Sequence, residues 1–367
     1  MNKVYFITGG GTGGHIYPAI AIADALLKED NVKIFYVGNP NNLEATIVAN
    51  KNYTFLPIIS SGMPRKLSFK FFKWTFQIFS AWLKCCYYIL KYKPNLIFGT
   101  GGYVSAPALF AAITTKTPFM LHDCDANPGL VTRKLAPFAK KVSVAFEIAK
   151  TKLNNNNIYI NGNPIRNEFK ILNKESARNN LNLENKLTIC IMGGSQGAKS
   201  INNTTIKALK DLLANNDIQI IFQTGKKNYD ECLNMLENVY PEYKSNKNLI
   251  IKPYFDDMVT VLKASDIAVS RAGSLSISEL SACGIATIFV PYPYAAADHQ
   301  RKNAKFMLNN CAGLYIEDNE LTSEKLIFEL SSLINNQEKR INIQKNVSNI
   351  AKFDAVKNII EQIYSID

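Results

Sequence analysis

Lys3-Val-Tyr-Phe-Ile-Thr-Gly-Gly-Gly-Thr-Gly-Gly-His15-Ile-Tyr-Pro18 is the stretch on which the fold turns. Lys3 to Thr8 is a short run of strand formers. The glycines that follow mark a tight turn, and Pro18-Ala-Ile-Ala-Ile-Ala-Asp-Ala-Leu-Leu27 reads as a helix. Proline is expected near the helix start, where its missing N–H costs little. Gly9, Gly11 and Gly14 formally satisfy the G-x-G-x-x-G spacing of dinucleotide enzymes. Such enzymes want an acidic residue at the end of the second strand to hold a ribose. Here that strand, Val32 to Val37, runs into Gly38-Asn39-Pro40 with no acid, which argues against hydride transfer. What survives is anion binding: glycines let backbone N–H groups approach a phosphate, and a helix N-terminus adds partial positive charge. One such terminus supplies only ~0.3–1 kcal/mol, up to ~2 when partly buried. Micromolar affinity needs about 8 kcal/mol, so further contacts are required.

The same pattern recurs outward from this stretch. Asn95 to Phe98 is a strand leading into Gly99-Thr-Gly-Gly102 and a helix around Ala106 to Ala112, and Pro118 to Leu121 is a further buried strand. Beyond an Asn-rich loop at Asn154 to Asn157 and a turn at Gly162-Asn-Pro164, the pattern restarts. Leu187 to Met192 is a strand, Gly193-Gly-Ser-Gln-Gly197 a turn and Ala198 to Leu213 a helix. Ile218 to Gln223, Ile267 to Ser270 and Thr287 to Val290 are strands, with a helix opening near Ser274 after Gly273. Strands alternating with helices in both halves predict an α/β chain of two doubly wound parallel sheets. The expected boundaries are residues 1–162, 163–350 and a closing helix at 351–367. Ligands of such sheets bind beyond the carboxyl ends of the strands, which places the expected active site in a cleft between the domains.

Composition narrows the partners. The chain has 367 residues, 47% hydrophobic and 20% charged, and a formal net charge of +12, which favours anionic partners. Its seven cysteines form no C-x-x-C pair and no zinc spacing, which suits a reducing compartment, and no metal-ligand cluster is visible. No zinc finger, RRM signature or helix-turn-helix pattern supports nucleic-acid binding. The uncharged stretches Val4–Ala23 and Pro94–Thr115 are interrupted by glycines, so neither reads as a membrane span, and no signal peptide is recognisable.

Pro64 to Lys93 is apolar, aromatic and basic, without one acidic residue. A helix with Phe71, Phe72, Trp74, Phe76, Phe79 and Trp82 beside lysines suits an anionic membrane interface. Each lysine or arginine near such a surface is worth about 1 kcal/mol.

Three histidines, His15, His122 and His299, each lie at or near a predicted strand end. His15, closing the first glycine turn, is the leading general-base candidate. Ser276-Ile-Ser-Glu279 fits both a helix capping box and a ligand contact, and spacing does not separate the two. Arg166, in Gly162-Asn-Pro-Ile-Arg166, is either a solvated arginine or a diphosphate fork worth ~1.5–3 kcal/mol.

Taken in order, Gly10-Gly-Thr-Gly-Gly-His15, Gly101-Gly-Tyr-Val-Ser105, Gly162-Asn-Pro-Ile-Arg166, Gly193-Gly-Ser-Gln-Gly-Ala198 and Arg271-Ala-Gly-Ser-Leu-Ser-Ile-Ser-Glu279 resemble the motif series of the MurG family. These are peptidoglycan N-acetylglucosaminyltransferases of GT-B fold. The resemblance implies transfer of N-acetylglucosamine from UDP-N-acetylglucosamine to the 4-hydroxyl of undecaprenyl-diphospho-N-acetylmuramoyl-pentapeptide. Inversion at the anomeric centre, peripheral attachment at the cytoplasmic face of the cell membrane and no obligatory metal or other cofactor belong to the same expectation. By motif position, Thr12, Gly13 and Gly14 would line the sugar and acceptor side. Gly11, Gly101, Gly102 and Tyr103 would meet the acceptor and its diphosphate. Arg166 and Ser195 would hold the donor diphosphate, and Phe255 would contact uracil through its backbone. Ser274, Leu275, Ser276, Ile277 and Ser278 would form the phosphate and ribose site, Glu279 would bind ribose hydroxyls and Gln300 sugar hydroxyls. The closing helix would pack back on the first domain. One departure stands out: His122-Asp-Cys-Asp125 replaces the usual H-E-Q-N, so Asp123 becomes the second base candidate or the orienting partner of His15. Asp125 stands where an asparagine would contact the donor sugar, and an ionised aspartate only accepts hydrogen bonds. The rival readings are a same-fold transferase for another glycolipid, a UDP-sugar epimerase, and a membrane-bound nucleotide-sugar sensor.

Overall fold

The computed structural model describes residues 3–64, 69–194 and 196–366. Two compact units divide the chain, one running to Ile165 and resuming at Lys352, the other spanning Arg166–Ala351.

The first unit is built on a parallel sheet of seven strands: β1 (Lys3–Thr8), β2 (Val32–Gly38), β3 (Thr54–Pro57), β4 (Leu96–Gly99), β5 (Phe119–Asp123), β6 (Lys141–Val144) and β7 (Ile158–Ile160). Their order is β3-β2-β1-β4-β5-β6-β7. The inner strands are continuous apolar runs because helices cover both faces. Phe6, Phe35 and Ile97 pack to one side with Cys85 and Ile89, and Tyr5, Ile7 and Phe98 to the other with Ile16, Ile20, Ile359 and Ile363. The last two belong to the helix Ala355–Tyr364, which lies in this unit's core.

The chain winds outward from β1 through β2 to β3 and then returns to β4, so a topological switch point lies between β1 and β4. The two turns leaving these strands, Gly9–Thr12 and Thr100–Ser105, flank it. The helix α1 (Gly13–Leu26) begins earlier than expected, which puts Pro18 inside it. Proline leaves the carbonyl four residues back without its helical partner. That carbonyl is Gly14's, and the Cys124 thiol donates to it at 3.2 Å.

Two further helices follow, α2 (Leu43–Val48) and α3 (Phe69–Tyr92). α3 has 24 residues and spans ~36 Å. It buries only Ala81, Cys85, Tyr88 and Ile89. Phe69, Phe72, Phe76, Phe79, Leu83, Tyr87 and Leu90 form an exposed stripe at three- and four-residue spacing. Of the six aromatics named for the membrane interface, Phe71, Trp74 and Trp82 are half-buried. The Trp74 indole donates to the Ser61 carbonyl (2.9 Å), the Trp82 indole to Thr114 Oγ1 (3.2 Å), and Phe71 packs on Trp74. Arg65 and Lys66 lie outside the described residues. Among the described residues no helix is long and apolar enough to cross a membrane.

The second unit repeats the plan with β8 (Leu187–Met192), β9 (Ile218–Gln223), β10 (Leu249–Lys252), β11 (Ile267–Ser270), β12 (Ala286–Phe289) and β13 (Leu314–Tyr315). All pairs are parallel, in the order β10-β9-β8-β11-β12-β13. Its switch point lies between β8 and β11, which lead into Gly193–Gly197 and into Gly273 with the helix Ser274–Cys283. Two doubly wound parallel sheets are thus the fold, as the alternation of strands and helices predicts.

Candidate active site

At the first unit's switch point the two glycine turns touch. A Cβ on Gly102 would lie 2.5 Å from the Gly10 carbonyl oxygen, so this approach requires glycine, and Gly102 also has φ +77°. His15, at the third position of α1, bridges the crevice: its Nδ1 lies 2.9 Å from the Thr100 carbonyl oxygen. A carbonyl only accepts, so Nδ1 carries the proton and Nε2 has the lone pair. The Thr100 hydroxyl donates to the His15 backbone carbonyl at 2.7 Å, bracing the same residue twice.

Asp123 interacts with this imidazole through charge and not through a hydrogen bond. Its carboxylate accepts from the backbone N–H groups of Asp125 (3.2 Å) and Gly129 (3.0 Å), which shapes the loop after β5. Burial, and next the charge of Asp125, raises its pKa. His122 is fully buried and bonded at both ring nitrogens, to Ser143 Oγ (2.9 Å) and Asn163 Oδ1 (3.1 Å). The third histidine, His299, sits at a helix start with Nδ1 against the Ala296 carbonyl.

An acid does serve the first glycine turn, from beyond the strand end. Glu44, fully buried on α2, accepts from the N–H groups of Gly11 (3.2 Å) and Asn39 (3.2 Å) and from Asn42 Nδ2 (3.3 Å). Asn42 also donates to the Tyr103 hydroxyl at 3.1 Å, and Tyr103 lies against Gly11. The Gly11 N–H is therefore committed inside the protein, and Glu44 is too deeply buried to hold a ribose. Thr12 is exposed, while Gly13, Gly14 and Tyr103 are half-buried.

In the second unit, Arg166 and Glu279 come together, Nη2 to Oε1 at 3.6 Å. Glu279 is largely buried, and burial pushes its carboxyl up to about 7 against the opposing pull of Arg166. The capping box does not form: the helix starts at Ser274 after Gly273, which has no side chain to cap it, and Ser276 lies inside the helix. Such a terminus presents N–H groups without helical partners. Ile277 is committed to the fold, its side chain buried and its N–H donating to the Gly273 carbonyl. Ser278 Oγ donates back to the Ser274 carbonyl, and Leu275 is half-buried.

The Phe255 N–H is already taken by Gln223 Oε1 (2.9 Å), whose Nε2 reaches the Gly194 carbonyl (3.3 Å). The Phe255 N–H is thus committed inside the protein. Gln300 Oε1 accepts from the Tyr292 N–H at 2.9 Å. Ser195 lies outside the described residues. Among the described residues there is no group of three or more His, Cys, Asp or Glu side chains able to hold a metal. Thr100, Glu44 and Gln223 were not singled out from the sequence; Thr100 acts partly through a main-chain carbonyl, which residue type does not encode.

Residues 5–144 match the glycosyltransferase family 28 N-terminal domain and residues 188–363 the corresponding C-terminal domain. A UDP-N-acetylglucosamine–N-acetylmuramyl-(pentapeptide) pyrophosphoryl-undecaprenol N-acetylglucosamine transferase of Desulforamulus reducens is 38% identical over 98% of this chain and 98% of its own length. The crystal structure of Acinetobacter baumannii MurG superposes with a TM-score of 0.79 at 25% identity, covering all of both chains. A UDP-GlcNAc 2-epimerase from Neisseria meningitidis bound to UDP-GlcNAc shares the fold at 14% identity, with a TM-score of 0.66 over 99% of this chain and 100% of its own.

Proposed function

Because this chain belongs to the MurG family of N-acetylglucosamine transferases, we propose that it moves N-acetylglucosamine from UDP-N-acetylglucosamine to the 4-hydroxyl of the lipid-linked muramoyl-pentapeptide, converting lipid I to lipid II. The observation that carries this reading is the likeness along nearly the entire length to transferases of that name. The epimerase likeness extends to the fold alone.

We assign the acceptor to the first unit and the donor to the second. His15 Nε2, given its lone pair by the Thr100 carbonyl, takes the proton of the acceptor hydroxyl. The freed oxygen attacks the anomeric carbon as its bond to UDP breaks, which inverts the centre. Gly13, Gly14, Gly101, Gly102 and Tyr103 shape the acceptor side, with Thr12 and Asp125 toward the transferred sugar. Gly11 contributes conformation rather than its N–H, which Glu44 holds. Charge developing on UDP is met by the uncapped terminus of Ser274–Cys283 and by Arg166, an arrangement that performs the electrostatic work without a metal. Leu275, Ser276 and Ser278 would line that terminus, with Ser195 on the diphosphate. Glu279 accepts from the ribose hydroxyls, the Phe255 carbonyl meets the uracil edge, and the amide nitrogen of Gln300 serves the sugar.

The exposed stripe of α3 supports attachment to an anionic membrane surface, at the cytoplasmic face where the nucleotide-sugar is available. Phe72, Phe76 and Phe79 would enter the interface, while Lys70, Lys73, Lys84 and Lys91, all exposed, meet the headgroups. Analysis of the product linkage tests the chemistry. Transfer from the α-linked donor should give a β-linked disaccharide, and an α-linked product would contradict direct displacement.

A further inference from the structure

Asn163, Ser143 and His122 are buried polar residues for which the reaction above has no use, and their hydrogen bonds have one direction. Asn163 Nδ2 donates to the Cys124 carbonyl at 3.2 Å, which turns its Oδ1 toward His122 Nε2 at 3.1 Å. An amide oxygen only accepts, so Nε2 carries the ring proton and Nδ1 is the acceptor. Ser143 Oγ, 2.9 Å from Nδ1, must then donate its hydroxyl hydrogen there, and itself accepts from Asn161 Nδ2 at 3.0 Å. Asn161 closes the chain with a reciprocal amide pair to Gln362: its Nδ2 donates to Gln362 Oε1 (2.9 Å) and its Oδ1 accepts from Gln362 Nε2 (3.2 Å). Gln362 lies on the helix Ala355–Tyr364, about 200 residues away in sequence.

The sheet makes this path possible. His122 and Ser143 are register partners on β5 and β6, so their side chains emerge on the same face. At the far end, Cys124 packs against the start of α1, its thiol donating to the Gly14 carbonyl, with Sγ 3.4 Å from His15 Nδ1.

We propose that His122 and Gln362 are positioning residues for sugar transfer: a directional hydrogen-bond relay, Gln362–Asn161–Ser143–His122–Asn163, fixes the Cys124 carbonyl and thereby seats Cys124 against Gly14 and His15. The inference rests on the reading of His15 as the base. Burial pushes the His122 imidazole down to about 4, consistent with a ring that stays neutral inside the relay. The closing helix is thus wired to the acceptor-side turn, besides filling the core.

Two measurements on the full chain test it. With 15N-labelled histidine, NMR should show His122 neutral, protonated at Nε2 and accepting at Nδ1, between about pH 5 and pH 8. Titration near 6.5, or a proton on Nδ1, would overturn the relay. This measurement needs no substrate, so it stands even if the transfer activity is assigned wrongly. In transfer assays, Gln362→Leu should lower kcat about 10- to 100-fold and change the KM for UDP-N-acetylglucosamine far less, since the diphosphate, ribose and uracil contacts assigned above belong to the other unit. Gln362→Glu, which keeps the oxygen accepting from Asn161 Nδ2 but loses the Nε2–H donated to Asn161 Oδ1, should recover only part of that loss. Ser143→Ala, cutting the relay nearer His122, should lower kcat in the same way. Parental kcat in folded Gln362→Leu, or in folded Ser143→Ala, would overturn the positioning role.

Discussion

Glu279 holds its carboxyl at about 7 because burial outweighs the neighbouring Arg166, and this sets a pH dependence for donor binding. Ribose hydroxyls donate to the ionised form, so affinity should be full above pH 7 and fall as pH drops through it. Below that point UDP affinity should decline to a plateau about fivefold lower, because the neutral carboxyl still accepts but without its charge, read by calorimetry. Glu279→Gln keeps an acceptor but not the charge; it should cost about 1 kcal/mol and abolish the pH dependence. Unchanged pH dependence in that variant would remove Glu279 from the donor site. His15→Ala should lower kcat by about 100- to 10,000-fold while costing only about 1 kcal/mol of stability for the lost bond to the Thr100 carbonyl. If Asp123→Ala abolishes turnover while His15→Ala preserves it, the base has been misassigned. At this scale the sequence was partly legible. His15 and Arg166 stand out because a histidine or arginine beside a glycine turn is informative by type. Glu44 did not, because an acid was sought at the end of β2, whereas a buried carboxylate reaches Gly11 from the next helix.

The glycine turn after β1 is a designed element whose geometry depends on that carboxylate. Glu44→Ala leaves the N–H groups of Gly11 and Asn39 without their acceptor, which should cost about 1–3 kcal/mol per orphaned group on thermal or denaturant unfolding. It should also weaken acceptor use more than donor use. A variant as stable as the parent would show that water replaces the carboxylate there. α3 makes the opposite prediction, since its exposed aromatics touch little protein. Phe72→Ser with Phe76→Ser should leave stability unchanged yet lower binding to anionic vesicles about 10- to 100-fold, as expected if each ring inserts partially. Equal vesicle binding by the double variant would move the membrane contact elsewhere. Elements with strong local signals were legible: β8, β9 and β11 are predominantly apolar runs with the bounds read from sequence. Short edge strands such as β13, only Leu314–Tyr315, exist through pairing with a neighbour and leave no such signal. The start of α1 was misplaced because Pro18 reads as a first-turn proline. Its cost inside the helix is offset by Cys124, distant in sequence.

At the scale of the whole molecule, each unit has a switch point, where the strand order reverses, and the side chains proposed for function are drawn from the turns and helix starts beside it. One plan used twice gives unlike chemistry: a histidine with a fixed tautomer in the first unit, and an arginine, a carboxylate and an uncapped helix in the second. The alternation of strands and helices made this duplication legible. Which residues bridge the turns was not, because those contacts join carbonyls and side chains far apart in the chain. The account's central claim is acceptor-dependent sugar transfer, and the direct measurement offers labelled UDP-N-acetylglucosamine with the lipid-linked muramoyl acceptor, with diacylglycerol, or with no acceptor. Label should enter lipid only with the muramoyl acceptor, one UDP being released for each sugar moved. Transfer to diacylglycerol instead, or conversion of the nucleotide-sugar with no acceptor present, would contradict it.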